Sequence, residues 1–265
     1  MTDRKRHLFH ILEVSPWPLL SAFAAFFFLS GLTFYMHRLH FGGWFFFIGF
    51  LLTVISAFGW FFDILNEATI KGDHTLAIRT GLKKGFLLFI VSEVMLFFGF
   101  FWAFFHSSLC PSVEIGAKWP PAGIPYVSFL GFPALNTILL IVSGLAVTWA
   151  HRGVAIGSFK ESINAFLITI FLGLVFLGFQ MYEYYELPFD FSDSVYSSTF
   201  FVLTGLHGMH VFVGVFFLTF CFFRLLLQHF TIKHYLGFIM AIWYWHFVDI
   251  VWIILFLFVY CWGNW

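Results

Sequence analysis

The stretch Phe86-Leu-Leu-Phe-Ile-Val-Ser-Glu-Val-Met-Leu-Phe-Phe-Gly-Phe-Phe-Trp-Ala-Phe-Phe105 carries one charged group, Glu93, among residues that are almost all apolar. A run of about 20 such residues, at 1.5 Å per residue in a helix, covers the roughly 30 Å hydrocarbon thickness of a bilayer. The rest of the chain repeats the pattern. Apolar runs between polar breaks predict membrane helices near 17–36, 43–65, 82–106, 128–150, 162–182, 195–224 and 235–261. The composition agrees. Of 265 residues, 61% are hydrophobic and 10% charged, where soluble domains carry about 25% charged residues. A soluble fold of this length cannot enclose so much apolar surface. Aromatics reach 24%, with 44 Phe for lipid-facing and packing positions and 11 Trp suited to interfaces. No internal repeat or soluble domain interrupts the series. The net charge is zero, and no nucleic-acid signature is present. Cys110, Cys221 and Cys261 are scattered and indicate neither a disulfide framework nor a thiolate metal site. The N-terminal stretch lacks the apolar core and small-residue cleavage pattern of a removable signal.

The basic residues set an orientation. With seven spans, eleven of the 13 Lys and Arg fall on one side: Arg4, Lys5, Arg6, Lys71, Arg79, Lys83, Lys84, Arg152, Lys160, Arg224 and Lys233. Only Arg38 and Lys118 fall on the other. The positive-inside rule then puts the N-terminus on the cytoplasmic or matrix side and the C-terminus opposite. After span five, Glu183, Glu186, Asp190 and Asp193 read as a solvated acidic loop, or alternatively as a docking edge for a basic partner.

Ionisable groups at bilayer depth cost at least ~2.5 kcal/mol on insertion scales, so each needs a partner or a task. Glu93 reads either as a proton-handling carboxyl or as a protonated acid bonded to a neighbouring helix. His207 and His210 share a helix face at a spacing of three. Gly205 and Gly208, in the same register, would admit a close neighbouring helix there. Two such histidines can ligate a metal or haem if further ligands converge, with Glu93 and His246 the candidates; the plainer reading is a pair of buried interhelical histidines. His246 and Asp249 are also three apart, an arrangement that satisfies two buried polar groups or orients a ligand imidazole. Trp60, Asp63, Glu67 and His74 gather where span two leaves the membrane, and Arg224 ends span six on the same side; they read as lipid-phosphate contacts or as snorkelling side chains. There is no phosphate loop, dinucleotide fingerprint or Ser-His-Asp order, hence no complete catalytic constellation. An independent proton or ion transporter using Glu93, His207, His210 and Asp249 as a relay is a competing reading, weakened by the lack of inverted repeats.

Several quoted segments, taken together, resemble a known family. They are Ser15-Pro-Trp-Pro18, Ser92-Glu-Val94, Gly99-Phe-Phe-Trp-Ala-Phe-Phe-His-Ser-Ser-Leu109, Trp119-Pro-Pro121, Leu135-Asn-Thr137, Thr148-Trp-Ala-His151, Ser198-Thr-Phe-Phe201, Gly208-Met-His-Val211 and Trp243-Tyr-Trp-His-Phe-Val-Asp249. In order and over nearly the whole chain, they resemble subunit III of the haem-copper cytochrome c oxidases, in its mitochondrial form. The resemblance implies an all-α polytopic membrane protein. Its two-helix part (1–75) and five-helix bundle (76–265) would be separated by a lipid-filled cleft. It implies a core subunit of a proton-pumping oxidase that reduces oxygen to water. Haem a, haem a3 and copper belong to other subunits, so the chain has no catalytic residue, metal or redox centre of its own. Subunits I and II and further small subunits are the implied partners. Phospholipids of the phosphatidylglycerol, phosphatidylethanolamine or cardiolipin type are the implied ligands, and the mitochondrial inner membrane the implied location. Glu93 matches the family's buried carboxyl, reactive to carbodiimide and linked to proton or oxygen supply. Trp60, Glu67, His74 and Arg224 match positions around lipid sites. His207, His210, His246 and Asp249 become buried interhelical polar groups. The chain departs from the family pattern at Phe61, Phe62, Asn66, Asp73 and Ile239, which implies altered headgroup contacts and no carboxyl at 239. The equivalent subunit of a quinol oxidase is the nearest alternative.

Overall fold

The computed structural model describes residues 10–125, 127–232 and 234–262. Arg4, Lys5, Arg6 and Lys233, counted in the charge asymmetry, lie outside them. Seven helices among the described residues are long and apolar enough to cross a membrane. They are α1 (Trp17–Met36), α2 (Gly42–Asn66), α3 (Leu76–Leu109), α4 (Phe132–Ile156), α5 (Phe159–Glu186), α6 (Val195–Leu226) and α7 (Leu236–Leu255). Wider π-type turns extend α2 over Glu67–Lys71 and α7 over Phe256–Cys261. No named strand occurs among the described residues. The all-helical, seven-span architecture expected from the apolar runs is what the chain forms.

Helix ends follow local chemistry. Proline in the first turn starts α1 and α4, where a missing N–H leaves no bond unmade. Gly157, at φ +85°, stops α4 in the left-handed region that glycine tolerates. Ser194 and Ser197 form a reciprocal capping box at the start of α6. Ser194→Ala is expected to cost about 1 kcal/mol. That should raise amide exchange in the first turn of α6 roughly fivefold, measurable by hydrogen–deuterium exchange.

Two helices differ from the sequence reading in a way that matters. α3 begins at Leu76, ahead of the expected start near 82, so Arg79 rides on its first turn instead of lying in a loop. α5 continues to Glu186, so Glu183 and Glu186 are helical. Glu183 is buried, at 5% exposure, and Tyr182 donates a 2.5 Å hydrogen bond to Glu186 Oε1. The solvated acidic loop thus shrinks to the segment holding Asp190 and Asp193. A charge count cannot see that one face of a helix end is covered by its neighbours.

The chain forms two compact units, residues 1–82 and 83–265. In the first, α1 and α2 run antiparallel in close contact. Gly31 lies against the backbone of Phe45 and Phe46, and Gly49 against that of Phe27 and Phe28. Without side chains at these positions the helices approach at backbone distance, the small-residue packing of membrane helices. Trp17 Nε1 donates to Asp63 Oδ2 and pins the two helices near one end.

In the second unit α7 is the most buried helix. Its inward face carries Trp245, Asp249 and Trp252, at 0%, 8% and 0% exposure, and their spacing of three to four keeps them on one side. Both indoles donate to hydroxyls of α4: Trp245 to Ser143 Oγ and Trp252 to Thr137 Oγ1, each at 3.0 Å. Within this unit, α3 is held through large rings. Phe86 meets Phe217, Phe89 stacks on Tyr244, and Phe97 meets Phe247 at centroid distances of 6.4, 6.4 and 6.1 Å. The described Lys and Arg sit at the α2–α3, α4–α5 and α6–α7 junctions, except Arg38 and Lys118.

Candidate functional site

Glu93 and His210, singled out separately in the sequence, meet across α3 and α6. His210 Nε2 lies 2.8 Å from Glu93 Oε2, and His210 Nδ1 lies 2.8 Å from the Leu206 carbonyl oxygen. A carbonyl only accepts, so Nδ1 carries the hydrogen of that bond. The Nε2···Oε2 bond therefore holds one proton. Either the carboxyl donates to a neutral ring, or an imidazolium donates to a carboxylate. Both arrangements are neutral overall, which answers the cost of an isolated charge in hydrocarbon. Phe97 and Tyr244 flank the imidazole, with ring centroids at 5.0 and 6.4 Å.

His207 does not join this pair. It is fully buried, between Phe176 of α5 and Trp252 of α7, at centroid distances of 5.8 and 5.1 Å. The space that Gly205 and Gly208 leave is not taken up by a close helix among the described residues. A methyl group at Gly208 would meet nothing within 4 Å, and one at Gly205 would only touch the Tyr184 hydroxyl at 3.9 Å. Close packing on α6 falls instead at Gly214, where the Trp245 ring lies 3.0 Å from the position a methyl would take. Glycine spacing alone does not reveal which face a helix turns inward.

His246 and Asp249 lie beside α4. His246 Nδ1 is 3.7 Å from Asp249 Oδ2. His246 Nε2 is 3.3 Å from Thr148 Oγ1, whose hydrogen goes to the Gly144 carbonyl at 2.9 Å. The ring is therefore the donor to Thr148. Gly144 makes room for the acid, since a methyl there would stand 2.6 Å from Asp249 Oδ2. Gly144→Ala must push Asp249 off His246. The expected loss is about 1–3 kcal/mol, in the range for overpacking, read as a lowered melting temperature of the purified complex. Gly178→Ala, which would meet nothing within 4 Å, should leave the melt unchanged.

The positions expected around lipid divide between the units. In residues 1–82, Trp60 borders an open, apolar groove of about 330 Å³ between α1 and α2, floored by small residues such as Ala24, Ser56 and Ala57. Glu67 Oε2 lies 3.8 Å from both His10 Nε2 and His74 Nε2. Burial, with help from neighbouring His10, pushes the His74 imidazole below the usual histidine range, while Glu67 works in the opposite direction. The sequence reading missed His10. It stands some sixty residues from its neighbours in the chain, and only the fold joins them. In the 83–265 unit, Arg224 closes α6 with its guanidinium 4.5 Å from the Phe230 ring centroid. Gly237 leaves space for it, because a methyl there would lie 2.9 Å from Arg224 Nη1. Phe61 and Phe62, where the family pattern has a Trp and an Arg, are exposed. Ile239 lies half-buried in the first turns of α7.

Fold and site define a polytopic, seven-span membrane protein. Glu93 with His210 and His246 with Asp249 form mid-membrane pairs, one between helices and one along a helix, and among the described residues no three mid-membrane acids and histidines converge on a point. The family model of cytochrome c oxidase subunit III matches residues 7–264. The chain is 49% identical over 260 residues to cytochrome c oxidase subunit 3 of Prototheca wickerhamii, covering 98% of this chain and 99% of the relative. It is 49% identical over 264 residues to that of Triticum aestivum, covering all of both chains. With that of Mammuthus primigenius the identity is 47% over 258 residues, covering 97% of this chain and 98% of the relative. The chain belongs to the cytochrome c oxidase subunit III family, and so is a subunit of the terminal oxidase complex.

Proposed function

We propose that the chain is the non-redox core subunit that keeps the oxidase working. It stabilises subunit I against inactivation during turnover, holds phospholipids, and supports proton and oxygen supply to the site of oxygen reduction. The observation that carries this reading is the Glu93–His210 bond at 2.8 Å. It uses the mid-membrane carboxyl to join helices and holds a proton there. Trp60, Glu67, His74 and Arg224 are the proposed phospholipid contacts. Arg224 is the phosphate-binding cation, because a guanidinium offers paired donors to phosphate oxygens. The apolar groove beside Trp60 suits an acyl chain. The location is the mitochondrial inner membrane, with the N-terminus in the matrix and the C-terminus in the intermembrane space, supported by the eleven-to-two basic asymmetry. Haem a, haem a3 and copper reside in partner subunits.

Lipid counting tests the lipid role. Complexes carrying Arg224→Gln, washed in mild detergent, are expected to retain fewer phospholipids per complex than wild type by mass spectrometry. Identical lipid counts would remove Arg224 from that role.

A further inference from the structure

His10, Glu67 and His74 lie in the 1–82 unit, outside the intramembrane pairs. The chain is built to bring them together. After α2, the π-type turn Glu67–Lys71 ends at Gly72, whose φ of +68° turns the backbone back. The Asp73 N–H then bonds the Glu67 carbonyl at 2.9 Å, which returns His74 to the side of Glu67. From the other direction comes the segment before α1. Lys71 Nζ meets Glu13 Oε2 at 3.1 Å, and the Trp17–Asp63 bond fixes the start of the helix. His10 is thereby held against His74, with ring centroids 5.5 Å apart and planes at 69°.

The donor atoms converge. Glu67 Oε2 lies 3.8 Å from each Nε2, and the three ligand atoms lie within 4.8 Å of one another. At 3.8 Å neither imidazole makes a direct hydrogen bond to the carboxylate, which needs about 2.7–2.9 Å. Four-coordinate zinc, with nitrogen and oxygen ligands at about 2.0–2.1 Å, spaces its ligands about 3.3 Å apart. The two histidine–carboxylate distances reach that spacing by contracting about half an ångström, and the two imidazole nitrogens, within 4.8 Å of each other, by up to about 1.5 Å through rotation of the rings. The side chains of His10, Glu67 and His74 are 33%, 14% and 9% exposed, sheltered yet reachable.

We propose that His10, Glu67 and His74 form a binding site for a divalent transition-metal ion of the zinc class, which takes the place of a direct phospholipid contact for Glu67 and His74 and leaves that contact to Trp60 and Arg224. Two imidazole nitrogens and one carboxylate oxygen suit zinc, where magnesium and calcium demand oxygen shells. The fourth position belongs to water. The bound ion staples the segment before α1 to the turn between α2 and α3.

The test uses the intact oxidase complex in nanodiscs, treated with chelator and dialysed against radioactive zinc. Other zinc-binding groups of the complex cancel in the comparison with variants. His10→Gln and Glu67→Gln should each lose one zinc per complex. His74→Cys, whose thiolate is itself a zinc ligand, should keep it and bind cadmium more tightly than wild type does. Haem absorbance and lipid phosphorus are read on the same samples. Equal zinc in wild type and His10→Gln overturns the proposal. So does loss of zinc in His74→Cys with haem content intact, or zinc that leaves wild type in step with lipid phosphorus.

Discussion

Gly31→Leu is expected to abolish stable packing of α1 on α2 and to reduce recovery of the chain in assembled oxidase at least tenfold. A side chain at Gly31 would run into the backbone of Phe45 and Phe46. Backbone cannot swing aside as a side-chain tip can. Overpacking into side chains typically costs about 1–3 kcal/mol. Here the seam itself must open, so the cost should reach or exceed the top of that range, and about 1.4 kcal/mol already corresponds to tenfold. Gly43→Leu is the control. It lies on the same helix pair, and a methyl there would meet only the Tyr35 ring, at 3.9 Å. Recovery of both variants in the purified complex, with a thermal melt of whatever assembles, measures the difference. Equal recovery would mean that the close approach of α1 and α2 contributes little.

Glu93→Ala should shorten the number of turnovers before inactivation several-fold. It leaves the buried His210 Nε2 without its partner, a cost of about 1–3 kcal/mol. It also removes the one proton held between α3 and α6. Glu93→Gln separates these effects. Its amide can donate to Nε2, since Nδ1 already carries the hydrogen bound to Leu206, but it supplies no exchangeable acid. If the helix tie sustains turnover, Gln retains most of the wild-type lifetime. A Gln variant as short-lived as Ala would assign the effect to the proton. An unchanged lifetime and oxygen affinity in Glu93→Ala would remove Glu93 from either role.

The membrane helices were legible because span length and apolar composition are local properties. The predicted ends fell short wherever a helix ran on past its apolar run, as at Leu76 to Gly81 on α3 and at Glu183 on α5. Hydropathy marks the hydrocarbon boundary, whereas a helix stops where its backbone finds a cap. The polar groups of the site were equally visible, because a charge in an apolar run stands out. Which of them meet was not. Glu93 finds His210 rather than His207, although the two histidines share a helix face, and Asp249 owes its place to Gly144 on α4. Such pairings depend on helix rotation, which one sequence does not encode at short range. For the same reason the spacing of Gly205 and Gly208 did not say whether a helix fills the space they leave, while Gly31 and Gly49, with no polar neighbours to draw attention, went unnoticed. His10 joins Glu67 and His74 only through the return of the chain at Gly72.

The central claim is that this chain sustains the oxidase without holding its redox centres. The most direct measurement compares oxidase purified with and without the chain, by haem and copper content per complex and by turnovers completed before inactivation. The account predicts unchanged haem a and copper, a similar initial rate, and a markedly shorter working life when the chain is missing. Loss of haem or copper with the chain, or an undiminished lifetime without it, would contradict the account.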